Sequence, residues 1–146
     1  MSRRTHLVRS LLVVMLLPIT SGAQRLNARS LKDILASQGF SGVLHGKIAF
    51  AFLGNMKCNP AEIQVYDYTW EETNPPGRAV HFSQRLIFIH DQKYLGQYVI
   101  EDRPTLTRSG LLRFPYSKEL GNTIQCKRGG LPESVYVDGY NLALQR

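Results

Sequence analysis

Residues 80–101 read VHFSQRLIFIHDQKYLGQYVIE. β-Branched and aromatic side chains fill both halves, and Asp91-Gln92 alone interrupts them with turn chemistry. Two runs of that length across two residues predict a hairpin, with strands over 80–90 and 93–101. Asp102-Arg103-Pro104 then breaks the run, because proline cannot donate to a ladder.

Working upstream, the same period of two returns. Gln64, Tyr66, Tyr68 and Trp70 alternate with Ile63, Val65, Asp67 and Thr69, which predicts a strand over 62–70. Asp67 and Thr69 are expected to face solvent. Cys58-Asn59-Pro60 reads as a turn. Before it, Leu44, Gly46, Ile48, Phe50 and Phe52 alternate with His45, Lys47, Ala49 and Ala51, a strand expected to end at Gly54-Asn55. One helix is predicted ahead of this: Ser30 as the cap, Asp33 three residues on, Leu31, Ile34 and Leu35 at helical spacing, and Gly39 as the stop. Its eight or so residues are too few for stability alone, so it must pack on the sheet.

Downstream, shorter strands are expected around 111–114, 123–126, 134–137 and 140–144, punctuated by glycine and proline, with Asp138-Gly139 as a hairpin turn. The pattern is mainly β (α+β): a short N-terminal helix, then an antiparallel sheet of six to eight strands, as a curled sheet, a small barrel or a sandwich.

The first 23 residues read differently. Arg3, Arg4 and Arg9 precede the apolar run Leu11–Leu17, and Ser21-Gly22-Ala23 offers a small-residue cleavage site. This is the layout of a secretory signal peptide cut near Ala23, and the run is too short to span a bilayer. A single exported domain over 24–146, periplasmic or secreted, is the expectation. That part has 123 residues, and Leu, Ile, Val and Phe make up 27% of it, enough for a packed core. In an oxidising compartment, Cys58 and Cys126 are expected to pair. Signal peptide, short leading helix, a strand running into the first cysteine and a late second cysteine together give a layout that resembles VirK-like small exported bacterial proteins. The resemblance is one of layout and implies no functional residue.

Chemistry is sparse. The sequence has no G-x-S-x-G, H-E-x-x-H, P-loop, G-x-G-x-x-G or C-x-x-C. No cofactor or metal is implied. His81 and Ser83 share a strand face and give the alternative reading, a small extracytoplasmic hydrolase with a carboxylate such as Asp67 or Asp91 as third member. Glu71/Glu72 and Glu101/Asp102 are neighbours that diverge, unlike a glycosidase pair. Tyr66, Tyr68 and Trp70 form an aromatic row, which reads as core or as a stacking platform.

Charge gives the clearest asymmetry. The residues from Gln24 to Asp102 balance to zero, whereas those from Arg103 to Pro132 carry a net +5. Arg103, Arg108, Arg113, Lys127 and Arg128 are therefore the candidate contacts for an anionic envelope polymer or an acidic protein. Nucleic acid is not expected, because interleaved aromatics are few there. A non-enzymatic exported binding module is the first functional expectation.

Overall fold

The computed structural model describes residues 24–72, 81–115, 122–137 and 139–146. The expected signal peptide, the loop over 73–80, Tyr116 to Gly121 and Asp138 lie outside the described residues, as does the side chain of His81. Helix α1 spans Ala28–Ser37, and strands β1 (Lys47–Cys58), β2 (Ala61–Glu72), β3 (His81–His90) and β4 (Lys93–Ile100) follow. These four pair antiparallel in chain order, as one meander.

The hairpin predicted over 80–101 is β3–β4. Asp91 and Gln92 both take positive φ (47° and 62°), the conformation a two-residue turn demands, between the paired His90 and Lys93. β1 runs four residues further than Gly54. A bulge absorbs the mismatch between Phe52 and Gly54, and pairing resumes through to Cys58 opposite Ala61. Gly54 adopts φ 135°, and a Cβ there would lie 2.5 Å from the Leu106 side chain. Only glycine lets the later chain approach so closely.

Beyond β4 the expected extended sheet does not form. Among the described residues, β5 (Thr105–Leu106), β6 (Leu112–Arg113) and β7 (Thr123–Ile124) make a small three-stranded sheet, and β8 (Ser134–Val137) and β9 (Tyr140–Ala143) make a hairpin. The architecture is thus a four-stranded sheet with two smaller sheets, and no barrel closes. The reason lies at Arg103-Pro104. Pro104 is buried, and there the chain leaves the β4 edge to cross a face of the sheet.

Both faces of the central sheet are consequently covered. On one, Leu31 and Leu35 of α1 pack on Tyr66, Tyr68, Ile87 and Ile89. On the other, Val65, Leu86, Phe88, Tyr98 and Ile100 pack against Leu112, Phe114, Ile124 and Val137 from the small sheets. Double coverage explains why residues 63–68 of β2 are all buried. It also overturns the expectation that Asp67 is solvated: its residue is 1% exposed.

Helix α1 begins earlier than Ser30. Asn27 caps it, its side-chain oxygen accepting from the Ser30 amide at 2.9 Å. Gly39, two residues past the helix, takes φ 81° and turns the chain as expected.

Candidate functional site

Cys58 and Cys126 are joined by a disulfide that spans 68 residues, with Cα atoms 5.2 Å apart. The bond ties the β1–β2 turn to the segment just after β7. Its neighbours in the chain are basic: Lys57 on one side, Lys127 and Arg128 on the other. Lys127 and Gly130 exchange two backbone hydrogen bonds of 2.9 and 3.0 Å, so Arg128-Gly129 forms the tip of a tight turn.

A second turn reaches the same end. Between β5 and β6, the Leu111 carbonyl accepts from the Thr107 amide (2.8 Å) and the Thr107 carbonyl accepts from the Gly110 amide (2.9 Å). Gly110 rests on Lys57: a Cβ at Gly110 would lie 3.0 Å from the Lys57 backbone nitrogen and from its Cβ and Cγ. Arg108 sits at the tip of this turn, two residues from the contact. Lys57, Lys127 and Arg128 thus flank the disulfide along the chain, and Arg108 lies in the turn whose Gly110 touches Lys57; all four are exposed and none is ion-paired with another described residue. Glu62 lies opposite Lys57 across the β1–β2 ladder, and its carboxylate accepts from Asn55 Nδ2 at 3.3 Å.

Arg113 is exposed on the outer side of β6, where its neighbour Leu112 points into the core. Arg103 has another task. Its Nε and Nη2 donate to Asp67 Oδ2 at 2.6 and 2.5 Å, and Asp67 Oδ1 accepts from Gln84 Nε2 at 2.8 Å. The buried carboxylate has three donors, and this pair anchors the chain where it leaves β4. Arg103 therefore contributes less free positive charge than the residue count implies.

Lys57 escaped the sequence reading because it lies outside the basic segment. Its position beside Cys58 was the available signal: once the cysteines pair, residue 57 must lie near residue 127. The Asp67–Arg103 pair had no such signal, since the two are 36 residues apart.

Of the aromatic row, Tyr66 and Tyr68 are 2% and 1% exposed and belong to the core beneath α1. Tyr66 Oη accepts from the Leu26 amide and donates to Gln64 Oε1, while Tyr68 Oη donates to the Val43 carbonyl. Burial pushes both phenols above the usual tyrosine value. Phe52 packs on Tyr66 and Phe50 on Tyr68, so the ring faces are occupied, and only Trp70 is half-exposed. Ser83 Oγ accepts from Arg85 Nε at 3.3 Å. Among the described residues, no cluster of three His, Cys, Asp or Glu side chains could hold a metal, and no helix is long and apolar enough to cross a membrane. Compared with known protein families, with characterised proteins and with solved structures, the chain finds no match in any of the three.

Proposed function

We propose that the protein is an exported, non-enzymatic binding module whose basic end meets an anionic partner, either an envelope polymer or an acidic protein surface. One observation carries the reading. The disulfide brings Lys57 and the Lys127-Arg128 turn to one end of the fold, the turn that carries Arg108 touches Lys57, and none of these cations has a described carboxylate in ion-pair range. Arg113 extends the same sign of charge along β6. Unpaired like charges repel one another, so neutralisation by a polyanion is favourable and steers the encounter. Two tight turns and a covalent crosslink hold the cations in place, which lowers the ordering cost of binding. The disulfide itself fits an oxidising, extracytoplasmic location.

The test is charge reversal. Arg108→Glu combined with Lys127→Glu should abolish retention of residues 24–146 on an immobilised polyanion, with the fold intact by circular dichroism. Arg29→Glu on α1, an exposed cation on the helix-covered face of the sheet, should leave it unchanged. Equal losses from both variants would reduce the effect to net charge and sink the proposal. Polyphosphate and poly-glutamate as parallel matrices separate the two kinds of partner.

A further inference from the structure

The last strand leaves a gap in the main sheet. Gln97 of β4 and Gln145, just beyond β9, form an antiparallel bridge: each amide donates to the other's carbonyl, at 2.8 and 2.9 Å. Such a pair fixes the direction of every second peptide along both strands. Val99, two residues on, must also aim its N–H and C=O away from β3. Ala143 and Asn141 aim theirs away from β8, consistent with the Leu144 amide donating to Glu133 on that side. A continued ladder would match Val99 with Ala143. It does not continue, because Gln97–Gln145 stands as an isolated bridge. The strands splay and leave a cleft of 230 Å³, walled by residues 99–102 and 140–142.

The floor is apolar, from Ile100, Phe114, Val137 and Leu142. Val99 and Tyr140 stand at the mouth, 43% and 53% exposed. Two carboxylates, Glu101 and Asp102, close one end, and neither is ion-paired with a described residue. An unpaired strand edge over an apolar floor is the geometry that accepts an added strand, with main-chain hydrogen bonds for affinity and side-chain seats for specificity.

We propose that this cleft binds an extended peptide, laid along β4 so that its backbone takes the Val99 N–H and C=O. An apolar side chain enters beside Tyr140, and a Lys or Arg reaches Glu101 and Asp102. The site lies on β4 and β9 and is independent of the basic end; the peptide it selects is cationic, opposite in sign to the partner proposed there.

The probe is a fluorescent synthetic peptide of about seven residues, the length of an ordinary strand. It alternates Val and Thr and ends in two lysines. Saturable binding is expected, with slowed hydrogen exchange at the Val99 amide. N-methylation of alternate peptide amides, or Val99→Pro, which removes only the outward donor of an edge residue, should each weaken binding about tenfold or more. Glu101→Lys should weaken it too. Because Val99→Pro could disturb β4, the N-methylated peptide against the unaltered protein serves as the second arm. Equal affinity for the methylated peptide overturns strand addition. Absence of saturable binding overturns the site. Dimerisation of the free protein through the Val99 edge would assign the cleft to a second copy and overturn the peptide occupant.

Discussion

Asp67 shows how one residue's role depends on what covers it. On an open sheet it would be a solvated strand carboxylate; here it is buried, and an unpaired charge in that position would be costly. Arg103 and Gln84 supply the donors. Arg103→Ala should destabilise the fold by about 2–3 kcal/mol, less than the roughly 3–5 kcal/mol for breaking a fully buried pair, since the guanidinium is half exposed. Denaturant unfolding measures this, and Arg103→Lys should recover part of the loss. A second residue-scale prediction concerns the phenols. Burial pushes Tyr94 and Tyr98 up to about 12, with Glu133 adding to the rise at Tyr98. The folded state thus holds these protons more tightly than the unfolded chain. Their contribution to stability is intact below pH 10.0 and drains away as pH climbs towards 12. Tyrosinate absorbance should rise in a late step that coincides with loss of β-sheet signal. Free titration of every phenol with the sheet preserved would contradict the burial.

At the scale of elements, alternation and turn chemistry carried most of the information. The Asp91-Gln92 hairpin, the β2 strand and the helix were legible because each is encoded within about a dozen neighbouring residues. Ser30 was a plausible cap, but Asn27 lies one turn earlier with the same chemistry, and local sequence offers nothing to choose between them. β1 was cut short because a glycine inside a strand resembles a terminator until the approaching Leu106 is known. β5 was invisible, being two residues long and defined only by its partner β6. The disulfide was legible from cysteine count and the compartment that the N-terminal pattern leads one to expect. It closes 68 residues, so replacing both cysteines with serine should lower stability by about 4 kcal/mol in the chain-entropy view. Thermal or denaturant unfolding of the double variant checks this, and the loss should fall well short of the wild-type total if the two-sided core is the main source of stability.

For the whole molecule, the fold sorts the charge. The sequence places a surplus between Arg103 and Pro132, but a linear count cannot say which cations are free. Folding spends Arg103 on Asp67 and Arg146 on Glu133, whose carboxyl the guanidinium holds below its ordinary value. It recruits Lys57 from β1 instead. What was legible, then, was the sign and approximate place of the charge surplus; which of its cations are free of carboxylates required the structure. If that surface is the binding face, its attraction is long-range and must be screened by salt, since the Debye length shrinks from about 10 Å at 0.1 M to about 3 Å at 1 M. The most direct measurement is the dissociation constant of residues 24–146 for a soluble polyphosphate across a salt series between those concentrations. The account predicts affinity falling at least about tenfold across the series. Affinity that stays flat across the series would contradict it.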